Sequence, residues 1–190
     1  MTKSNERPGT SGIWTFVFID MVVFLFLFLV YVSERNRLAE IFLESQHTLS
    51  PVVGVLSTLA LLTSSWFMAG AVQALRRADI QKVALALNLS LIFGALFMAN
   101  KFFEYREKIS DGFTPVTNGF FSFYFLITGI HFLHVAGGMV FISHCRAALS
   151  DEHAEGQYRK KLENVGTFWH FVDILWLFIF PLLYLTGLST

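Results

Sequence analysis

Charge is what this 190-residue sequence has least of: Asp, Glu, Lys and Arg make up 15% of it, against about 25% in an average soluble domain. The 14 Lys and Arg balance 14 Asp and Glu, so no net field exists to recruit a polyanion, and nucleic acid is excluded as a partner. Cysteine is nearly absent. The single Cys145 rules out a disulfide framework and any cysteine-rich metal site. Internal repeats and low-complexity tracts are also missing. Apolar residues are abundant, at 54%, with a mean hydropathy of +0.56. The few charges collect in short blocks between long apolar runs. A soluble enzyme domain and a disordered tail are thereby excluded, and a polytopic helical membrane protein remains.

A hydrocarbon core about 30 Å thick requires roughly 20 apolar residues as helix. Five segments qualify, at residues 12–32, 51–75, 83–103, 119–143 and 165–185. They predict an all-α bundle of five transmembrane helices forming one domain, 12–187, after a flexible N-terminal segment, 1–11. Ser50-Pro51 predicts an N-cap followed by proline at the first helical position. Asp111-Gly112 and Asn118-Gly119 punctuate the loop before the fourth span. A barrel would alternate strictly, and FLFLFLV does not. The first span is too long for a signal-peptide core and lacks a small-x-small cleavage site, so it is expected to be retained.

Lys and Arg are distributed unevenly between the loops. Lys3, Arg7, Arg76, Arg77, Lys82, Arg146, Arg159, Lys160 and Lys161 fall on one side, and Arg35, Arg37, Lys101, Arg106 and Lys108 on the other. The positive-inside rule then predicts a cytoplasmic N-terminus and an external C-terminus. Trp14, Tyr31, Tyr105 and Tyr184 lie near span ends, as interfacial aromatics do. Two loops are longer. Ser33–Leu49 predicts a small surface helix around LAEIFLES, and Cys145–Asn164 reads as an inner charged loop. Neither is a domain, so any chemistry belongs in the membrane or in a partner.

Five ionisable residues fall inside spans: Asp20, His131, His134, His170 and Asp173. Each costs about 2.5–3.5 kcal/mol or more at mid-bilayer. At 1.5 Å per residue, Asp20 and Asp173 lie about 12 Å deep and His134 about 15 Å. Three helices thus place ionisable groups at one level on the inner half, which predicts a buried polar cluster with carboxylates paired to imidazoles. His131 and His134 are i,i+3 and share a face, as do His170 and Asp173. Gly138, next to Gly137, permits close approach of a neighbouring helix. Three readings of the cluster stand: interhelical hydrogen bonds, a proton relay, and a metal or haem site. The third lacks the Glu-x-x-His pairs of a di-iron bundle and a second thiolate for copper, and two histidines of one helix cannot ligate opposite faces of one haem. No metal ligand set is therefore expected. Glu104, in KFFEYREK, reads as part of an interfacial salt-bridge network anchoring the third span.

Two runs carry a resemblance. TGIHFLHVAGG in the fourth span and FWHFVDILWLFIF in the fifth resemble TG-x-H-x-x-HV-x-x-G and YWHFVD-x-x-W of the haem–copper oxidase subunit III family. KFFEY resembles that family's Q-x-x-EY with Lys101 in place of glutamine, LSTLALLTSSW its NT-x-x-LL-x-SS, and GIWTFVFIDMVVF its first matched span. The family's buried glutamate in that span is Asp20 here, and the Trp-Pro-Pro loop of longer members is missing. The opening and TSSW look most like the short branch found with nitric oxide reductases, the NorE type. The resemblance implies a five-helix accessory subunit of a cytochrome c oxidase-like complex in the bacterial inner membrane. It implies no catalytic centre and no cofactor in this chain, with haem and copper or iron held by the catalytic subunit I partner. It also implies phospholipid bound in a cleft, stabilisation of the partner, and help with proton uptake. By position, Asp20 takes the place of the carboxylate paired with a fourth-span histidine, His131 or His134, and His170 and Asp173 take the WHFVD positions. The competing class is a free-standing proton or solute transporter, which would favour broken helices or inverted repeats.

Overall fold

The computed structural model of the chain describes residues 10–152 and 156–186. Most of the expected flexible segment, residues 1–9 with Lys3 and Arg7, lies outside the described residues, as do 187–190. The described chain is all-helical: α1 Ser11–Arg37, α2 Ala39–Gln46, α3 Pro51–Arg76, α4 Ile80–Ser110, α5 Gly119–Glu152 and α6 Gly156–Phe180, continued by a π-helical turn, Pro181–Leu185. Helices α1, α3, α4 and α5, and α6 together with its π-turn, are long and apolar enough to cross a membrane.

Helices run past the expected spans wherever charge was taken as a stop. α4 continues through Arg106, Glu107 and Lys108, and α5 through Arg146. Charge ends the part that tolerates lipid; it does not end the i→i−4 ladder. The expected inner loop Cys145–Asn164 is accordingly mostly helix, and the Tyr158 hydroxyl donates to the Cys145 carbonyl at 2.9 Å. α3 begins at Pro51 as expected, although the Ser50 side chain makes no capping bond. α4 is capped by Asp79, whose side chain accepts from the Lys82 N–H at 3.1 Å. The Lys82 ammonium, 2.7 Å from the Asp79 carboxylate, helps hold that carboxyl below its ordinary range.

α3, α4, α5 and α6 form a closed four-helix bundle in which each helix packs on two others, and α1 lies outside it against α5 and α6. α1 buries only Val17, Phe24 and Tyr31. Heptad spacing gives it a narrow seam, and the remainder of its surface is lipid-facing. Close approach inside the bundle depends on small residues. A Cβ added at Gly138 would lie 2.6 Å from the Trp169 ring, and Gly94 meets the same indole from α4. The Ser64 hydroxyl joins α3 to α4 through the Ser90 carbonyl at 2.7 Å.

The short helix after α1 departs from expectation. α2 is not a surface element: Phe42, Ser45 and Gln46 are buried, and Phe42 packs edge-on against Tyr31 and Phe120. Two of the aromatics expected at the interface, Tyr31 and Tyr184, belong to the core.

Candidate functional site

The start of α1 lies level with Asn164, eight residues into α6, since the Thr10 N–H donates to Asn164 Oδ1 at 2.7 Å. Within α1, Asp20 faces α5, and its Oδ1 lies 3.3 Å from His134 Nε2. The other ring nitrogen, Nδ1, lies 2.8 Å from the Ile130 carbonyl and must donate to it. A single proton then serves the Asp20–His134 contact, residing on Nε2 or on the carboxyl. Phe16, Phe24 and Phe168 surround the imidazole at ring distances of 5.9–6.4 Å. Asp20 Oδ2 is buried without a hydrogen-bond partner among the described residues.

The remaining expected members do not join that pair. His170 Nδ1 is 2.5 Å from Ser65 Oγ on α3. Asp173 is buried, and neither carboxylate oxygen has a hydrogen-bond partner among the described residues. His131 is fully buried with both nitrogens unpartnered, against Phe97 and Trp176. The expectation of one cluster is therefore corrected. Equal depth on three helices did bring Asp20 to His134, but one turn of α5 turns His131 into the four-helix core, and α6 points Asp173 towards α3. Hydroxyls of α3, which drew no attention as partners, supply the bonds instead: Trp169 Nε1 donates to Ser64 Oγ in TSSW at 3.1 Å, and Trp176 Nε1 to Thr58 Oγ1, earlier in the helix, at 3.0 Å.

Glu104 also requires correction. It does not lie in an open interfacial network but is 4% exposed beside Lys101, which is 0% exposed. Lys101 Nζ donates to Glu104 Oε2 at 2.9 Å and to the Tyr184 hydroxyl at 2.8 Å, while that hydroxyl donates to Glu104 Oε1 at 2.6 Å. The rings of Tyr105, Tyr124, Trp176 and Tyr184 surround the ammonium at 4.9–5.5 Å. Lys101 was a legible signal, being a cation within the third span with a carboxylate at i+3. Its burial follows from Tyr124 and Tyr184, which lie far off in sequence.

An apolar groove of about 690 Å³ runs between α1 and α6. Trp14, Met21 and Phe28 line one wall and His170, Phe171 and Phe178 the other. Among the described residues no three His, Cys, Asp or Glu side chains converge as a metal ligand set. Among the described residues His131 and His134 face different neighbours and do not converge on one ligand position.

Residues 8–188 match the family model described as cytochrome c oxidase subunit III. The chain belongs to that family. Among its relatives, the quinol oxidase subunit 3 of Bacillus subtilis (strain 168) is 30% identical, over 96% of this chain and 89% of the relative. The cytochrome bo(3) ubiquinol oxidase subunit 3 of Buchnera aphidicola (subsp. Acyrthosiphon pisum, strain APS) is 28% identical over 97% of this chain and 90% of its own length. The cytochrome c oxidase subunit 3 of Bacillus sp. (strain PS3) is 28% identical over 93% and 85%. The relatives include both quinol and cytochrome c oxidase subunits, and nothing in them singles out the nitric-oxide-reductase branch.

Proposed function

We propose that this chain is a non-catalytic subunit III, packed beside the catalytic subunit I of a haem–copper terminal oxidase in a respiratory electron-transport complex. The partner holds the haem and copper, or haem and iron if it is the related nitric oxide reductase. The observation that carries this reading is the family match over residues 8–188. The described polar pairs join this chain's own helices to one another, as suits a support. The Lys and Arg distribution supports a cytoplasmic N-terminus in a bacterial inner membrane, with the C-terminus external.

Two finer roles belong to this reading. The α1–α6 groove suits a phospholipid acyl chain, having apolar walls and a length that follows the helices. The Asp20–His134 pair, with side chains 13% and 18% exposed, sits at the bundle's edge beside α1 and suits a group that assists the partner's proton uptake. As a structural contact, the same pair is the polar tie between α1 and α5.

The test is purification through a tag on this chain. A haem-bearing partner should accompany it, and the chain separated from that partner should show no Soret band. His134→Ala and Asp20→Asn should not abolish the initial turnover rate of the assembled complex but should shorten the number of turnovers before inactivation. In His134→Ala the half-buried Asp20 carboxyl loses its partner, a loss worth about 1–3 kcal/mol of α1 docking. Immediate loss of all activity in an intact complex would refute the accessory role.

A further inference from the structure

The ionisable groups of the bundle occupy two levels. Asp20, His134, His170 and Asp173 lie towards the end where α1 begins, level with Asn164 of α6. Lys101, Glu104, Tyr124 and Tyr184 lie towards the other end. Along α5 the span from His134 to Tyr124 is about 15 Å of helix.

Between the two levels lies a single layer of three rings, one each from α4, α5 and α6. Phe97 and His131 are 0% exposed and Trp176 is 1% exposed. Phe97 meets Trp176 edge-on at 4.9 Å and His131 edge-on at 5.6 Å, and His131 lies 5.3 Å from Trp176. The layer is next to the second level, since Lys101 Nζ sits 5.4 Å from the Trp176 ring. Of the three rings His131 alone has the chemistry to pass a proton, and neither of its nitrogens has a hydrogen-bond partner among the described residues. Beside the layer on α3, the Thr58 hydroxyl donates to the Gly54 carbonyl and the Ser57 hydroxyl accepts from Asn100, and neither is bonded to His131. The Trp176 N–H is turned aside to Thr58 on α3. Among the described residues no hydrogen-bonded chain crosses the layer. Close-packed rings leave few voids larger than a water molecule, and proton transfer needs an unbroken file of exchanging donors and acceptors.

We propose that Phe97, His131 and Trp176 form a proton seal across the four-helix bundle, isolating the Asp20–His134 level from the Lys101–Glu104 level. Here His131 acts as a third packed ring and not as a relay. The seal lets the chain carry ionisable groups at two depths of an energised membrane without opening a path that dissipates the proton gradient. It depends only on the bundle spanning the membrane, not on a partner or on the proton-uptake reading.

The test is proton flux through the full chain, reconstituted in phosphatidylethanolamine–phosphatidylglycerol vesicles loaded with a pH dye and energised by a potassium diffusion potential. The wild-type chain should leak no faster than protein-free vesicles. Phe97→Ala, and independently Trp176→Leu, removes ring volume and should raise the flux about tenfold, equivalent to ~1.4 kcal/mol off the transfer barrier. Adding Glu104→Gln to Phe97→Ala should bring the flux back down, whereas a general loosening of the fold would leave it high. His131→Leu should remain as tight as the wild type. Variants that keep wild-type helicity and stay tight would overturn the seal. So would a wild-type flux that His131→Leu abolishes, because His131 would then be a relay.

Discussion

Lys101 occupies an environment that would be prohibitive for a lone cation. Its ammonium has lost water on every side and is held by one carboxylate, two tyrosine hydroxyls and four ring faces. Breaking a buried pair by removing one partner costs about 3–5 kcal/mol, because the survivor is left charged and dry. Lys101→Met and Glu104→Gln should each lower stability on that scale in reversible unfolding from mixed micelles. The double variant should lose less than the sum of the two, with a coupling of about 0.5–3 kcal/mol. Additive losses would mean that the two residues are stabilised independently. The contrast with Asp20 is instructive, since that residue keeps some exposure and a single imidazole neighbour. Lipid-level charges in this chain are therefore handled in two ways, by a caged pair in the core and by an edge pair on the outlying helix.

At the scale of elements, the end of α6 is the least regular piece of backbone. Pro181 lacks an N–H, and the chain answers with a π-turn that leaves carbonyls without their usual helical partners. Gln46 on α2 takes them up: its Nε2 lies 3.3 Å from both the Leu182 and Leu183 carbonyls and 2.8 Å from Thr186 Oγ1. Arg35 on α1 donates to the Thr186 carbonyl at 3.0 Å. Gln46→Leu should cost about 1–3 kcal/mol through the acceptors it abandons, and should speed amide exchange at residues 182–186 while leaving α3 and α4 unchanged. Equal exchange in the two proteins would show that the π-turn holds itself. The helix α2 was legible as a short amphipathic run. Its burial was not, because nothing in LAEIFLES announces a glutamine serving a turn more than a hundred residues later.

For the whole molecule, the consequence of the design is a rigid bundle with one loosely seated helix beside it. α1 meets α5 and α6 along a single seam, and the groove on its α6 side remains open to apolar chains. Ile174→Trp, which fills the groove from α6, should reduce the phospholipid retained per purified chain, measured by native mass spectrometry. An unchanged lipid count would place the bound lipid elsewhere. The same architecture explains why depth arguments worked for some pairs and failed for others. Rise per residue tells the level of a side chain, and Asp20 and His134 share a level. Azimuth depends on how each helix is rotated in the bundle, and that rotation parted His131 from His134 and left Asp173 without a direct bond to an imidazole among the described residues.

What the sequence by itself determined is the number of membrane-spanning helices, their order and the levels of the polar residues along them. These depend on local quantities: run length, hydropathy and a fixed rise per residue. Tertiary structure alone decided which polar groups meet. Helix rotation, the approach permitted at Gly94 and Gly138, and the packing of Trp169 and Trp176 against the hydroxyls of α3 are collective results of filling one space. They turned Glu104 and Lys101 inward, divided the expected cluster, and placed a layer of rings between its remnants and the caged pair. No run of neighbouring residues encodes such a choice, because each contact joins segments whose relative orientation is set only when all the helices are packed.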